Sequence, residues 1–201
     1  MKEEILAISL KQFLKYGIRK MTIKKLVAPL GISTKTVYKY FSNKEDLLKQ
    51  CLNLHYGKLT AEFVLLKEME ENPGIALFKT WQRATQVDFG ANHFFYHDLN
   101  YYFPKLQDDI LEKQYKKYNN WFEEIITAGV SQGYLRKDII PKVAIESIRV
   151  IYTAITRTPS YNKFKLAPAT LIQNTIEVFL RGLCTDKGLK FIQQYYSTIL
   201  E

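Results

Sequence analysis

The run Ser33, Thr34, Lys35 and Thr36 combines three hydroxyl groups with one ammonium group. A lysine ammonium can donate hydrogen bonds to guanine O6 and N7, and a threonine can contact a base edge or a thymine methyl group. Side chains of this size let a helix enter the major groove of DNA, which is about 12 Å wide. The alternative is that the serine and the threonines serve only as helix caps.

Hydroxyl, phenol and ammonium groups flank this run on both sides. They belong to Thr22, Tyr38, Lys39, Tyr40 and Lys44. Such donors suit phosphate oxygens, and phosphate contacts fix the position of a protein on DNA without reading its sequence. The alternative is that the two tyrosines are ordinary packing aromatics.

The positive charge of the chain is concentrated in its first fifty residues. They contain eleven basic and four acidic side chains, which gives +7 of the chain's net charge of +9. A small basic unit joined to a nearly neutral remainder predicts contact with a polyanion. The alternative is a lysine-rich surface that contacts only water.

The hydrophobic pattern that must position these residues is helical. Apolar residues recur three and four positions apart, and strand signals are absent. Besides a short helix after Thr22, the predicted helical segments are 3–16, 34–40, 44–71, 75–90, 92–102, 105–132, 141–158, 168–185 and 189–200. The predicted fold is all-α, with a three-helix helix-turn-helix domain (residues 1–46) and a C-terminal helical bundle (residues 47–201).

Capping residues predict where the first helices begin and end. Gly17 follows the first helix, where a residue in the left-handed conformation would end it. Thr22 and Ser33 precede the second and third helices as N-caps. Ser42 and Glu45 have the spacing of a capping box, which predicts the start of the long fourth helix.

The same residues follow the pattern of a known family. The matching positions are Ala7, Phe13, Gly17, Met21 to Ile23, Leu26 to Ala28, Leu30 to Ser33, Thr36 to Phe41 and Lys44 to Leu47. They resemble the DNA-binding domain of the TetR family of transcriptional regulators. A second match, Gly129, Gly133 to Arg136, Asp138 and Pro141, resembles that family's junction between its seventh and eighth helices.

This resemblance implies roles for the residues of the third helix and its flanks. It implies that Thr34, Lys35 and Thr36 face bases and that the flanking donors hold phosphates. Pro29 departs from the family pattern, because it lies where the second helix usually continues. Since proline clashes with the carbonyl four residues earlier, that of Lys25, the second helix is predicted to end early or kink.

The resemblance also implies a homodimer, and two apolar stripes in the C-terminal part could build it. The stripe residues are Ile148, Ile151, Tyr152 and Ile155 in one helix, and Ile172, Ile176, Phe179, Leu180 and Leu183 in the next. Two copies would then present paired reading helices to a palindromic operator in double-stranded DNA. The alternative is that both stripes pack inside one chain, because stripe width does not separate a core from an interface.

An aromatic-rich stretch matches the region in which the family encloses its effector. The predicted ligand-binding residues are Phe78, Trp81, Phe89, His93, Phe94, His97, Tyr101, Tyr118, Trp121, Phe122 and Tyr152. They would favour a small apolar or aromatic effector, with the histidines, Tyr152 or Arg157 as polar anchors. The alternative is that these aromatics are plain core.

Other chemistry is poorly supported. His93 and His97 are four residues apart but lack an obvious third ligand, so no metal site and no cofactor is predicted. Cys51 and His55 have the same spacing without a group to orient the imidazole, which argues against a nucleophilic enzyme. The acidic start and the absence of a long apolar run predict a cytoplasmic protein with no membrane partner.

The function that fits these observations is a ligand-responsive transcriptional regulator that acts as a repressor. Two alternatives belong to other classes. One is a non-inducible DNA-binding protein whose helical body docks a protein partner, and the other is a small helical enzyme with a basic N-terminus.

Overall fold

The computed structural model describes residues 1–69, 72–90, 93–157 and 159–199, with the backbone alone at 67, 85, 88–90, 93, 111, 114–119, 156–157, 159, 162, 168–169 and 195–199. The helices are α1 (Lys2–Tyr16), α2 (Ile23–Val27), α3 (Thr34–Tyr38), α4 (Lys44–Met69), α5 (Pro73–Gly90), α6 (His93–Tyr102), α7 (Pro104–Ser131), α8 (Pro141–Arg157), α9 (Pro168–Ile172), α10 (Val178–Gly182) and α11 (Asp186–Ile199). The predicted all-α class is confirmed, since these ranges contain no strand beyond an isolated bridge between Leu135 and Cys184. None of the described helices is both long and apolar enough to cross a membrane.

The second helix ends early, as its proline predicts. α2 stops at Val27, and a 3₁₀ turn, Ala28–Leu30, follows it. Pro29 has no amide hydrogen to donate to the carbonyl of Lys25, so α-helical pairing cannot continue through it. The α3 helix is also shorter than predicted, because it ends at Tyr38 rather than at residue 40.

The start of α4 differs from the predicted capping box by one residue. The side chain of Asn43, rather than that of Ser42, accepts the Asp46 amide at 2.8 Å. Asp46, rather than Glu45, reaches back and accepts the Ser42 amide at 2.9 Å. Asparagine is as good an N-cap as serine, so the two side chains that cap α4 each lie one position later than predicted.

Gly17 ends α1 in a conformation that glycine adopts far more readily than other residues. Its φ is 81° and its ψ is 176°. The predicted left-handed conformation is therefore correct in the sign of φ and wrong in ψ, which is extended. Other residue types are excluded from this region by their Cβ atom. The chain leaves α1 sharply at this point.

The segment predicted as one helix from 168 to 185 is divided by a π-helical turn. α9 and α10 are separated by the π turn Gln173–Glu177. The Thr175 hydroxyl donates to the Leu171 carbonyl at 2.7 Å, and the Asn174 amide group donates to the Thr170 carbonyl at 2.8 Å. Side chains that bind carbonyls in this way compete with the backbone ladder and widen the helix locally.

The chain forms two compact units, each made of separate stretches. Unit 1 comprises Met1–Thr60 and Asp88–Tyr115, and unit 2 comprises Ala61–Val87 and Lys116–Glu201. The largest fully buried side chains of unit 1 are Phe13, Phe41 and Phe95. The functional division at residue 46 stays a prediction, because compactness does not report which residues bind DNA or effector.

Candidate nucleic-acid interface

The α3 helix is held in unit 1 by one inward side chain. Val37 is fully buried in the core that also contains Leu26 and Leu47. Ser33 is the N-cap and accepts the Thr36 amide at 3.2 Å. Because Val37 faces inward, the opposite side of this helix must face outward.

The outward residues of α3 and its C-terminal flank are those that the sequence predicts to contact DNA. Thr34, Lys35 and Lys39 are exposed, and Tyr38 and Tyr40 expose 55% and 40% of their surface. Two aromatic side chains with this much exposed surface are not packing residues of the core. The alternative interpretation, that both tyrosines are ordinary packing aromatics, is therefore wrong. Their phenol groups and the two ammonium groups are available to an external partner.

Ser33 and Thr36 have internal partners. Their hydroxyl oxygens lie 3.1 Å apart, within hydrogen-bonding distance, in addition to the cap that Ser33 provides. Thr22 is similarly the N-cap of α2 and accepts the Lys25 amide at 3.3 Å. Base or phosphate contacts by these three hydroxyls stay predictions, and they would have to be made alongside the capping bonds.

Lys44, predicted to hold a phosphate, is engaged inside unit 1. Its Nζ atom donates to the carbonyl oxygen of Ile18 at 2.6 Å. Partial burial lowers the pKa of Lys44, and the nearby Asp98 carboxylate opposes this shift. An ammonium has three donors, so a phosphate contact is compatible with the bond to Ile18 and stays a prediction.

The loop between α1 and α2 is clamped from α6 by Asp98, an aspartate for which the sequence predicted no such contact. Asp98 Oδ2 accepts the backbone amides of Ile18 at 2.8 Å and Arg19 at 2.7 Å, and its residue is only 7% exposed. Gly17 leaves room for this contact, since a Cβ atom there would lie 3.1 Å from Asp98 Oδ2. No local sequence pattern predicts these two hydrogen bonds, because the residues that form them are about eighty positions apart in the chain.

Two basic residues of the same loop lie over aromatic rings of α6. The Arg19 guanidinium lies 4.3 Å from the Tyr102 ring centroid and also donates to its hydroxyl. The Lys20 ammonium lies 4.7 Å from the Phe94 ring centroid. These cation–π contacts add to the clamp and fix α6 against the helix-turn-helix part of unit 1.

The predicted ligand-binding residues fall into two groups. Phe94, His97 and Tyr101 lie in unit 1, where His97 and Tyr101 stack with ring centroids 5.9 Å apart and Tyr101 is 72% exposed. The members in unit 2 are Phe78, Trp81, Trp121, Phe122 and Tyr152. The side chains of Phe89, His93, Tyr118 and Arg157 lie outside the described residues. The aromatic stretch is therefore divided between two units, and only the second group could share one site within unit 2.

Most of the predicted dimer residues are buried within a single chain. Those buried are Ile148, Ile155, Ile172, Ile176, Leu180 and Leu183, whereas Ile151, Tyr152 and Phe179 are partly exposed. A side chain that is already buried has little surface left to contribute to an interface. Contact between these nine residues and a second copy of the chain stays a prediction.

The cysteine thiols are unsuited to act as nucleophiles. Burial raises the pKa of Cys51 to about 12 and that of Cys184 to about 11. Each thiol instead contacts a backbone carbonyl, that of Leu6 and that of Leu180. A thiol with such a pKa stays protonated near neutral pH, which weakens the enzyme alternative.

Comparison with known proteins identifies the N-terminal domain. The family model described as bacterial regulatory proteins, tetR family, matches residues 5–51. These residues belong to the tetR family. The matched segment contains α1 to α3 and the first residues of α4, so the exposed side chains described above lie on a tetR-family DNA-binding domain.

Solved structures share the fold over most of the chain. A TetR/AcrR-family regulator from Thermobifida fusca is 19% identical, with a TM-score of 0.67 over 92% of this chain and 98% of that one. FadR from Bacillus subtilis, solved with stearoyl-CoA, is 18% identical, with a TM-score of 0.67 over 90% and 99%. A putative regulator from Saccharomonospora viridis, solved with choline, is 14% identical, with a TM-score of 0.68 over 92% and 97%. No curated protein sequence matches the chain.

Proposed function

We propose that the chain is a ligand-responsive transcriptional repressor that binds a palindromic operator as a homodimer and leaves it when a small apolar or aromatic effector binds. The observation that carries the DNA-binding part is the exposure of Thr34, Lys35 and Tyr38 on a short, capped helix within the tetR-family segment. Two proteins of the same fold were solved with stearoyl-CoA and with choline, which supports an effector.

The effector would act by distinguishing two arrangements of the dimer. A palindromic site requires reading helices about 34–36 Å apart. An effector can change operator affinity only by its differential affinity for arrangements that do and do not meet this spacing. Selection from random duplex DNA tests the proposal, with half-sites about 10 bp apart as the expected result. Recovery of no preferred sequence would contradict it.

Replacing Lys35 with alanine tests the role of α3. We expect about tenfold weaker binding to the selected operator and a relaxed preference at one base pair, because a lysine–guanine contact contributes about 1–3 kcal/mol of discrimination. Fluorescence anisotropy on the operator and its single-base variants would measure both effects. Lys58→Ala is the control, since Lys58 is also exposed in unit 1 and the charge change is the same. Equal losses for the two variants would assign Lys35 to non-specific attraction.

Exposed valines on neighbouring helices of unit 2 supply a face for the second copy. Val143 and Val150 are two turns apart on α8 and expose 58% and 53% of their surface, and Val178 on α10 exposes 61%. α8 packs against α9 and the π turn that precedes α10. Exposed apolar residues grouped in this way favour association, and a two-fold dimer would use the same face on both copies.

Replacing Val150 with glutamate should weaken the dimer. A charge placed on the proposed interface would be desolvated on association, so we expect at least a tenfold rise in the dimer dissociation constant and a matching loss of operator affinity. Sedimentation velocity over a concentration series would measure it. Val64→Glu is the matched control, because Val64 of α4 is also exposed, at 42%. A wild-type chain that stays monomeric at all concentrations would contradict the dimer.

A further inference from the structure

Four helices of unit 2 contact one another in a closed sequence: α4 contacts α5, α5 contacts α8, α8 contacts α7, and α7 contacts α4. Glu62 of α4 accepts from Arg83 of α5 at 2.6 Å, and the Trp81 ring of α5 lies 5.7 Å from the Tyr152 ring of α8. Lys142 of α8 approaches Glu123 of α7 to 4.0 Å. The Trp121 ring of α7 stacks on the Phe63 ring of α4 at 5.9 Å, which closes the circuit.

One buried hydroxyl in this arrangement has no hydrogen bond. Thr80 of α5 is 0% exposed, and its Oγ1 atom has no partner among the residues that the structure describes. Other helical threonines behave differently: the hydroxyls of Thr60, Thr127 and Thr175 each donate to the carbonyl four residues earlier, at 2.7 to 2.8 Å. Thr80 therefore stands apart from the usual way in which a helix satisfies this side chain.

A buried indole on α7 also has no hydrogen-bond partner in the described part of the chain. Trp121 of α7 is 8% exposed, and its Nε1 atom has no hydrogen-bond partner within the described ranges. An indole nitrogen can only donate, so it requires an acceptor. Buried polar groups without partners are rare, and each calls for an explanation such as an absent ligand or water.

Apart from Thr80, the described buried side chains that α4 and α5 contribute to unit 2 are apolar. Phe63 and Phe78 are each 4% exposed, and Ala76 and Leu77 are each 1% exposed. No side chain of unit 2 that the structure describes is both charged and buried. A charged ligand group would lose its hydration here without a countercharge, whereas a neutral acceptor would find a donor.

We infer that unit 2 binds a neutral aromatic or alicyclic molecule carrying a carbonyl or hydroxyl oxygen, which accepts from Trp121 Nε1 and pairs with the Thr80 hydroxyl. The inference rests on the proposed function for its regulatory meaning and names the chemical class of the effector. It adds to the apolar preference that the aromatic residues predict, because it requires one oxygen and excludes a net charge.

Three bicyclic probes test this chemistry in the full-length protein without DNA: 1-tetralone, its hydrocarbon counterpart tetralin, and the anion tetralin-2-carboxylate. Isothermal titration calorimetry should give about five- to tenfold tighter binding of the ketone than of the hydrocarbon, the effect of one net hydrogen bond. The carboxylate should bind more weakly than the ketone. Equal affinities of ketone and hydrocarbon, stronger binding of the anion, or no binding by any probe at its solubility limit would each overturn the inference.

Two variants assign the oxygen to its partners. Trp121→Phe keeps the ring that stacks on Phe63 but removes the donor, so the ratio of ketone to hydrocarbon affinity should fall to about one. The ratio is insensitive to a general loss of packing, because both probes share the carbon frame. Tyr134→Phe, which removes a hydroxyl from a ring that packs on Phe191 in the same unit, should leave the ratio unchanged. A ratio that survives in Trp121→Phe would contradict the assignment.

Thr80→Val provides a readout that requires no ligand. Removing an unpaired buried hydroxyl should raise the thermal unfolding midpoint of the ligand-free protein by about 2–4 °C, whereas Thr175→Val, which removes a paired hydroxyl, should lower it by a similar amount. A lowered midpoint for Thr80→Val would show that water already satisfies the hydroxyl, and would overturn its role.

Failure of this inference can be distinguished from failure of the proposed function. A protein that binds an operator but does not discriminate ketone from hydrocarbon would contradict only this inference. A protein that prefers the ketone but binds no operator would contradict only the proposed function.

Discussion

Asp98→Ala is expected to lower the free energy of unfolding by about 3–5 kcal/mol, because it removes two charge-assisted hydrogen bonds of roughly 1.5–3 kcal/mol each. The amides of Ile18 and Arg19 both donate to Asp98 Oδ2, and Ile18 is fully buried. Alanine leaves both amides without that acceptor in a place that water reaches poorly. Urea denaturation followed by circular dichroism would measure the loss.

The controls separate the acceptor from the charge. In Asp98→Asn a single amide oxygen can still accept both donors, and neutral bonds are about half as strong, so about half of the loss is expected. Asp109→Ala removes an exposed acid of α7 from the same unit and should change the unfolding free energy by less than about 0.5 kcal/mol. If Asp98→Ala cost no more than Asp109→Ala, the clamp would be structurally unimportant.

The same variant should also weaken operator binding at temperatures at which the protein stays folded. The clamp fixes the loop that leads into α2, and Lys44 binds the carbonyl of Ile18 in the same loop. Loss of the carboxylate would loosen the support of α2 and α3 together. Unchanged DNA affinity in a folded Asp98→Ala protein would show that α6 contributes stability alone.

The local parts of the DNA-binding unit are predictable from sequence because their causes are local. Thr22 and Ser33 cap the helices that follow them, and Pro29 ends the α-helical part of its helix, as expected from their chemistry within four residues. The start of α4 at Lys44 is also as predicted, although Asn43 and Asp46 cap it rather than Ser42 and Glu45, because serine and asparagine are nearly equivalent caps. Local propensity gives the position of this helix start better than the side chains that cap it.

A local sequence pattern does not predict contacts between residues that are far apart in the chain. Asp98 could be recognised as polar and helical, but nothing near it in the chain indicates that it accepts the amides of Ile18 and Arg19. The apolar period of α8 likewise identifies Ile148 as facing a hydrophobic neighbour without saying whether that neighbour belongs to the same chain. The structure buries Ile148 within unit 2, which periodicity alone could not decide.

Residues 129–141, which carry the second resemblance, form hydrogen bonds with residues about fifty positions later in the chain. The Tyr134 carbonyl accepts from the Thr185 amide at 3.0 Å, and the Arg136 amide donates to the Leu183 carbonyl at 3.0 Å. The Thr185 hydroxyl donates to the Gly133 carbonyl at 2.7 Å. The turn between α7 and α8 is thus the docking site for the start of α11.

Gly188→Ala is expected to lower the free energy of unfolding by about 3 kcal/mol, at the upper end of the cost of overpacking. A Cβ atom at Gly188 would lie 2.2 Å from the Tyr134 carbonyl oxygen and 3.2 Å from Cys184 Cβ. That oxygen cannot move away without breaking its bond from the Thr185 amide. The first turn of α11 would therefore have to leave the turn between α7 and α8, and urea denaturation would measure the cost.

Gly182→Ala distinguishes this close approach from a general effect of glycine. No atom lies within 4 Å of a Cβ built at Gly182, which is exposed and ends α10. Alanine there should stabilise the protein by about 0.5–1 kcal/mol, because it restricts the unfolded chain and favours the helix. The two substitutions should thus have opposite signs although both replace a helical glycine. A loss of stability in both would attribute the effect to glycine itself, whereas a gain in both would mean that α11 does not rest on the Tyr134 carbonyl in solution.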